Sequence, residues 1–165
     1  MRPPQPHPVA DRPFADLLST ATVRVGVDVH SKADLLALLV DAVADDPVVR
    51  DRDELLDAVE QREARMSTGV GDGLALPHAY HDAVAAPVAA LATLSTPLAF
   101  EAFDGEPVRM AVLLAGPASG RTGHVRLLSR VSRVLGQATV RDEILDAADA
   151  EAVLAILFRA EAALS

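Results

Sequence analysis

The apolar and polar positions of the chain follow two different periods, one typical of strands and one typical of helices. Short apolar runs predict strands at Thr22–Val27, Val88–Leu94 and Val108–Leu114. The pair Asp104 and Gly105, which lies between the last two runs, predicts a turn. At least one pair of strands is therefore expected to form an antiparallel hairpin.

The helical stretches are marked by apolar residues three and four positions apart and by typical end residues. Ser31 is predicted to cap the first helix, with Asp34 three residues further on, as in a variant capping box. Gly136 is predicted to end the third helix as a C′ residue. The expected helices run from Ser31 to near Asp45–Pro47, over about Arg52–Glu63, over about Gly123–Leu135, and, as two shorter helices, after Thr139 and after Asp149. Alternation of helices and strands predicts an α/β fold with a small mixed sheet flanked by helices.

Composition narrows the class of protein. A chain of 165 residues suits one domain, and with 50% hydrophobic residues but only one Tyr and four Phe its core is expected to be aliphatic. Cysteine is absent, which excludes disulfides, thiolate metal sites and a cysteine nucleophile. The net charge of −9 argues against nucleic acid and anionic membrane surfaces as partners.

The first residues and one long uncharged stretch differ from the rest. Residues 1–13 are rich in proline and are expected to form a disordered lead-in without a signal peptide, ahead of a domain over 14–165. The stretch Ala83–Phe100 is uncharged, but Pro87 and Pro97 favour a buried strand over a membrane-spanning helix. We therefore expect a soluble protein with no membrane insertion.

His78 is the first candidate for chemistry because of the residues before it. Gly69, Gly71 and Gly73 allow close backbone turns that expose N–H groups, and such concavities bind anions. The stretch 67–73 is expected to lack regular secondary structure, and Pro77–Ala79 to end the short apolar segment that follows it. A neutral imidazole is a good acceptor for a labile phosphoryl group. The alternative is a tight turn with an incidental histidine.

His124 lies at the start of the third predicted helix. It shares one face with Leu128, Val131 and Leu135, which places it at the N-terminal end of a stripe facing the core. The partial positive charge at a helix start favours an anion there. A histidine at the edge of the core, without function, is the alternative.

Arg62 extends the apolar face that Leu55 and Val59 form on the second predicted helix. Its guanidinium is therefore expected at the margin of the core, where its planar fork suits phosphate. The alternatives are an arginine that reaches from the core to solvent and an ion pair with Glu60 or Glu63.

The other histidines and a basic stripe have simpler interpretations. A metal site built from His78, His124 and an acidic residue lacks the close ligand spacing of a zinc motif, so no metal and no cofactor are expected. His7, His30 and His81 are expected at the surface.

Three arginines of the third helix, Arg126, Arg130 and Arg133, are interpreted as a solvated face, with a docking surface as the alternative.

Together, several motifs give the chain a resemblance to a known family. The run Ser67–Ala79, which contains Thr68 and the three glycines and follows Arg62–Glu63, is the most specific of them. The others are Ser31–Lys32, Phe103–Val108 and His124–Ser129, and the likeness covers about Val23–Phe158. The chain resembles the type-2 IIA domains of the bacterial sugar phosphotransferase system, the fructose, mannitol and nitrogen-regulatory family. One departure is Tyr80–His81, where many members carry a basic residue.

The resemblance implies a cytoplasmic phosphotransferase with a mixed sheet of about five strands. It implies that His78 accepts a phosphoryl group from phospho-HPr, through Nε2 with Nδ1–H held by a backbone carbonyl, and passes it to a IIB component. His124 would steady the phosphoryl group, Arg62 would bind it, and the loop of Thr68, Gly69, Gly71 and Gly73 would hold the substrate. No IIB or IIC domain is expected in this chain, so the acceptor would be a separate protein.

Two further alternatives share the fold. In the nitrogen-regulatory branch, the phosphorylation state controls partner proteins and no sugar is transported. The other alternative is a binding module that has kept the fold and lost phosphotransfer, and the joint presence of His78, His124 and Arg62 argues against it.

Overall fold

The computed structural model describes residues 12–164, so His7 and nearly all of the predicted lead-in lie outside the described residues. Five α-helices and one sheet make up the fold. The helices are α1 Lys32–Val43, α2 Arg52–Arg65, α3 Arg121–Leu135, α4 Ala138–Asp146 and α5 Ala150–Ala163. The strands are β1 Val23–Val27, β2 Gly69–Gly71, β3 Leu74–Ala75, β4 His78–Tyr80, β5 Val88–Leu98 and β6 Val108–Gly116. Short 3₁₀ helices span Phe14–Leu17 and Ala118–Gly120.

The sheet is mixed, with the order β1-β5-β6-β3-β2 and with β4 also paired to β6. Strand β5 is antiparallel to β6, as expected for the predicted hairpin, and β1 is parallel to β5. Both β3 and β4 run parallel to β6 in one register, with Leu74 opposite Met110 and His78 opposite Leu114. They are thus two parts of one interrupted strand, which reconciles the predicted five strands with the six observed.

The interruption lies at Leu76 and Pro77. The amide of Leu76 donates to the carbonyl of Thr68 at 2.9 Å, whereas Pro77 has no N–H and accepts from the amide of Leu114 at 3.0 Å. His78 therefore begins a strand, and the prediction that Pro77–Ala79 simply ends the apolar segment was wrong. The prediction of no regular structure over 67–73 was also wrong, because Gly69–Gly71 forms the edge strand β2.

Two apolar cores lie on opposite faces of the sheet. Helices α1 and α2 pack over one face with Ala111 and Leu113 of β6, while α3, α4 and α5 pack over the other with Met110 and Val112. Phe14 adds an aromatic ring to the second core, which is otherwise mainly aliphatic. Strand β6 is covered on both faces, and this central position fixes the strands that pair with it.

Of the two predicted helix-end residues, Ser31 caps its helix as expected and Gly136 does not have the expected geometry. The side chain of Ser31 accepts the amide of Asp34 at 3.0 Å, and Asp149 caps α5 in the same way. Helix α3 ends before Gly136, but that residue has φ −69° and so is not a left-handed C′ residue. A Cβ at position 136 would lie 2.6 Å from the carbonyl oxygen of Ser132, so close packing explains the glycine.

One further difference concerns the start of α3, which begins at Arg121, two residues before its predicted start. The two closing helices α4 and α5, with 9 and 14 residues, are both shorter than the 15 residues of α3, as predicted. Among residues 12–164, no helix has both the length and the apolar character needed to cross a membrane. The uncharged stretch Ala83–Phe100 contains the buried part of β5, as predicted.

Candidate functional site

The ring of His78 is held by its own chain segment. Its Nδ1 lies 2.9 Å from the carbonyl oxygen of Leu76, across the break at Pro77. Because a carbonyl oxygen only accepts hydrogen bonds, Nδ1 carries the proton and Nε2 keeps its lone pair. The ring is half-buried, so Nε2 is a nucleophilic nitrogen at the surface of the fold.

The pKa of His78 is lowered from its ordinary value of 6.5. Burial is the largest cause, and the positive charge of Arg62 lowers the pKa further. The hydrogen bond to Leu76 and the negative charge of Glu63 oppose this shift. The imidazole is therefore neutral near pH 7, which is the state that can attack an electrophile.

His124 lies in the first turn of α3, with only 4% of its surface exposed. Its ring centroid is 5.8 Å from that of His78, and burial lowers its pKa to about 4, with a smaller contribution from His78. Within residues 12–164, neither ring nitrogen of His124 has a hydrogen-bond partner. A buried polar ring without a partner is unfavourable for folding, so a polar ligand group is the expected complement.

Arg62 lies in the last turn of α2, within electrostatic range of His78. Its side chain is half-exposed, and Nη1 donates to the carbonyl of Met66 at 2.9 Å. The buried stripe on α2 continues from Val59 to Glu63, so Arg62 lies beside that stripe and not on it. The ion-pair alternative with Glu63 is wrong, because Glu63 pairs with Lys32 at 2.9 Å.

Tyr80 and Arg121 are site residues that sequence reasoning missed. The Tyr80 ring lies 4.3 Å from the ring of His124 and 6.3 Å from that of His78. The guanidinium of Arg121 lies 5.6 Å from the Tyr80 ring centroid, which is a cation–π distance. The only sequence signal was the unusual Tyr80–His81 pair after His78.

Thr68 lies beside the site, but both of its donors are engaged. Its amide donates to the two carboxylate oxygens of Glu63 at 3.0 and 3.2 Å, and its hydroxyl donates to Glu63 Oε2. Its carbonyl accepts from Leu76, two residues before His78. Thr68 therefore shapes the backbone near His78 and has no free proton to offer an anion.

Gly71 and Gly73 are not brought to His78. They flank Asp72 in the β2–β3 turn, with φ of 101° and 77°, where residues with a Cβ are strained. The register along β6 separates this turn from His78 by about four residues of strand, about 13 Å. Gly69 lies against Ala102, whose Cα would be 2.7 Å from a Cβ at position 69. Gly71 and Gly73 therefore serve the turn, and Gly69 allows close packing against Ala102.

The remaining candidates have partners other than the histidine pair or are exposed. His30 is exposed, and its ring is 3.6 Å from the carboxylate of Asp28. His81 is half-buried and accepts the amide of Ala83 at 2.9 Å. On α3, Arg126 and Arg133 are exposed, while Arg130 is half-buried and donates to the carbonyl of Arg12. Across residues 12–164, no three His, Asp or Glu side chains are grouped as metal ligands.

Fold and site together define a class of protein. A neutral histidine with one free nitrogen, a second buried histidine and a nearby arginine form a site suited to accepting and releasing an anionic group. Residues 16–160 match the family described as phosphoenolpyruvate-dependent sugar phosphotransferase system, EIIA 2. The chain belongs to this family, whose members transfer phosphoryl groups.

Relatives from two branches of the family are similar to this chain. The fructose-specific EIIA component of Haloferax volcanii is 36% identical over 127 residues, which cover 77% of this chain and 82% of that protein. A nitrogen regulatory protein of Pseudomonas aeruginosa is 31% identical over 141 residues, covering 86% and 92%.

Solved structures agree with the fold. The nitrogen regulatory protein IIA-Ntr of Neisseria meningitidis superposes with a TM-score of 0.82 at 26% identity, covering 87% of this chain and 98% of that one. Escherichia coli mannitol IIA, in a complex with phosphorylated mannitol IIB, gives a TM-score of 0.75 at 16% identity, covering 86% and 97%, and supports the fold alone.

Proposed function

We propose that this chain is a IIA phosphocarrier that accepts a phosphoryl group from phospho-HPr on Nε2 of His78 and passes it to a IIB protein. The observation that carries the proposal is the hydrogen bond of 2.9 Å between His78 Nδ1 and the Leu76 carbonyl, which leaves Nε2 as the free nitrogen. The proposal implies a cytoplasmic location, where phosphoenolpyruvate is made.

In the first step, Nε2 of His78 attacks the phosphorus of the donor phosphohistidine. A new N–P bond forms while the donor N–P bond breaks, and the donor nitrogen leaves with that electron pair. No proton has to leave Nε2, because Nδ1 carries it. The protein contributes mainly position and charge to such a transfer.

The phosphoryl group adds about two negative charges beside His78. Arg62, which already acts on the charge of His78, supplies positive charge there, and a guanidinium suits phosphoryl oxygens. The unpartnered nitrogens of His124 supply a hydrogen-bond donor to a phosphoryl oxygen. These two residues therefore offset the charge of the phosphoryl group.

In the second step, a nucleophile of the IIB protein attacks the phosphorus from the other side. In this family the acceptor is usually a cysteine thiolate, and Nε2 of His78 leaves with the electrons of the N–P bond. The step restores the starting tautomer because Nδ1 keeps its proton throughout.

A nitrogen-regulatory role is the second candidate function. The similarity to the proteins of Pseudomonas aeruginosa and Neisseria meningitidis favours it, and the chemistry at His78 would be the same. The two candidates differ in the fate of the phosphoryl group, which a transport protein passes to IIB, whereas in a regulatory protein its presence or absence on His78 controls partner proteins.

A two-stage relay separates these possibilities. The protein is first charged by phosphoenolpyruvate, Enzyme I and HPr, then freed of the donors and mixed with a fructose-type IIB protein from the same host. Rapid loss of the phosphoryl group to IIB supports transport. Stable retention on a charged protein supports regulation, and failure to charge contradicts both.

A further inference from the structure

A buried carboxylate next to the site, that of Glu63, accepts hydrogen bonds from three different donor groups. The side chain of Glu63, in the last turn of α2, is 4% exposed. It accepts Lys32 Nζ at 2.9 Å, the Thr68 amide at 3.0 Å and the Thr68 hydroxyl at 2.5 Å. A buried charge with this many donors is held in one place, and it holds those donors in turn.

From Thr68 the contacts continue to the reacting ring. The Thr68 carbonyl accepts the amide of Leu76 at 2.9 Å, and the Leu76 carbonyl accepts Nδ1–H of His78 at 2.9 Å. Pro77, between Leu76 and His78, has a fixed φ, so a shift of Leu76 is transmitted to His78. Hydrogen bonds, joined through the backbones of Thr68 and Leu76, thus connect Glu63 with the imidazole.

We propose that Glu63 is a positioning residue that sets the tautomer of His78, acting through Thr68 and the Leu76 carbonyl. Lys32 from α1 balances the charge of Glu63 and keeps its carboxylate in place. The role rests on the proposed function, since it fixes which nitrogen of His78 is free to take the phosphoryl group. Thr68 then belongs to the support of the site and does not contact the phosphoryl group.

The tautomer matters because only an unprotonated nitrogen can attack. The partner of one ring nitrogen decides where the proton of a neutral imidazole resides. If the Leu76 carbonyl shifts away, part of the His78 population carries the proton on Nε2 and cannot react there. The charge of Glu63 also acts directly on His78, where it raises the pKa against the lowering effect of burial.

The test compares two buried glutamates in the unphosphorylated protein. Glu161 on α5 is the matched control, because it accepts the amides of Phe14 and Ala15 at 2.8 and 2.6 Å on the other face of the sheet. Two-bond ¹H–¹⁵N correlation spectra, recorded where His78 is neutral, report its tautomer in wild type, Glu63→Gln and Glu161→Gln.

Wild type and Glu161→Gln are expected to show His78 with the proton on Nδ1. Glu63→Gln is expected to show a mixture of both tautomers. Phosphorylation is expected to slow roughly tenfold to a hundredfold, because the ring is misplaced in addition to the loss of the reactive tautomer. A merely structural role would lower stability in both variants without moving the tautomer of either.

A wild-type tautomer in folded Glu63→Gln, or a mixture already present in wild type, overturns the proposal. If Glu63→Gln does not fold, Thr68→Val takes its place, because valine has the shape of threonine but lacks the hydroxyl that donates to Glu63. An unchanged His78 tautomer in Thr68→Val would also overturn the proposal. The spectra need no phosphoryl donor. Failure of wild type to be phosphorylated by HPr therefore contradicts the proposed function, whereas the spectra alone decide the role of Glu63.

Discussion

The rings of Tyr80 and His124 are in direct contact, with centroids 4.3 Å apart and planes inclined by 62°. This edge contact orients a histidine whose two nitrogens have no hydrogen-bond partner among residues 12–164. It connects β4, which carries His78, with the start of α3. The geometry of the histidine pair thus depends on a residue that sequence reasoning left without a role.

Tyr80→Leu is expected to slow onward transfer to the acceptor roughly fivefold to tenfold. An aromatic edge contact contributes about 1 kcal/mol beyond burial, and the loss of this contact frees the His124 ring. The measurement is the decay of phosphorylated protein after addition of IIB, with His124→Ala alongside. Tyr80→Phe, which keeps the ring, is the control and should behave as wild type. Equal decay in the Leu variant and wild type would show that Tyr80 does not position His124.

Stability is expected to fall as the pH drops from about 7 to about 5, partly because of His124. Its pKa is about 4 in the folded chain against an ordinary 6.5, so the unfolded chain binds the proton more tightly between these values. The contribution of His124 to the free energy of unfolding is fully present above about pH 6.5. It decreases on acidification and is lower by about 2 kcal/mol at about pH 5. Urea unfolding at both pH values measures the loss.

His124→Leu is the control for this pH dependence. It removes the titrating ring and should therefore reduce the loss of stability by about 2 kcal/mol. His78, whose pKa is also lowered, remains in both proteins and contributes equally to each. Parallel pH profiles for wild type and the variant would contradict the assignment of the shift to His124.

Arg62→Ala is expected to slow phosphorylation of His78 by about a hundredfold while the domain stays folded. A cation about 4 Å from a phosphoryl oxygen contributes on the order of 4 kcal/mol at an effective dielectric constant of about 20, before desolvation. The side chain is half-exposed, so its removal leaves no cavity in the core. Rates of charging by phospho-HPr give the effect.

Arg65→Ala is the matched control, because Arg65 is an exposed arginine in the same last turn of α2. It should charge at the wild-type rate. If both variants lose activity equally, the effect of Arg62 reflects the general charge of this surface and not contact with the phosphoryl group.

Gly71→Ala is expected to lower stability by about 1 kcal/mol or more and to leave the charging rate of His78 unchanged. Its φ of 101° is costly for alanine, yet the turn that contains it lies away from His78 along β6. Thermal unfolding and the charging assay on the same sample distinguish the two effects. A charging defect in the folded variant would restore the glycine turn as part of the substrate-binding loop.

The helices and long strands were predictable because each buries a regular face. Strand β6 alternates between two cores, and α3 shows an apolar stripe that begins at His124. The short strands β2, β3 and β4 were not predictable, because segments of two or three residues with glycine and proline show no period. Their pairing is set by β6, which is distant in sequence.

Site prediction had a similar limit. Spacing alone left both histidines open to structural interpretations, and only the family motifs indicated that His78 and His124 lie together. The sequence suggests an ion pair between Glu63 and Arg62, because it does not show that Lys32 of another helix pairs with Glu63. Tyr80 was visible only as a departure from the family, without its contact to His124.

The most direct test of the phosphocarrier account is the mass of the intact protein after incubation with phosphoenolpyruvate, Enzyme I and HPr. Wild type should gain one phosphoryl group, mapped to His78 by fragmentation under conditions that preserve N–P bonds. His78→Ala should gain none, while His81→Ala, next to the site, should behave as wild type. Phosphorylation of His78→Ala, or no gain by wild type with charged HPr present, would contradict the account.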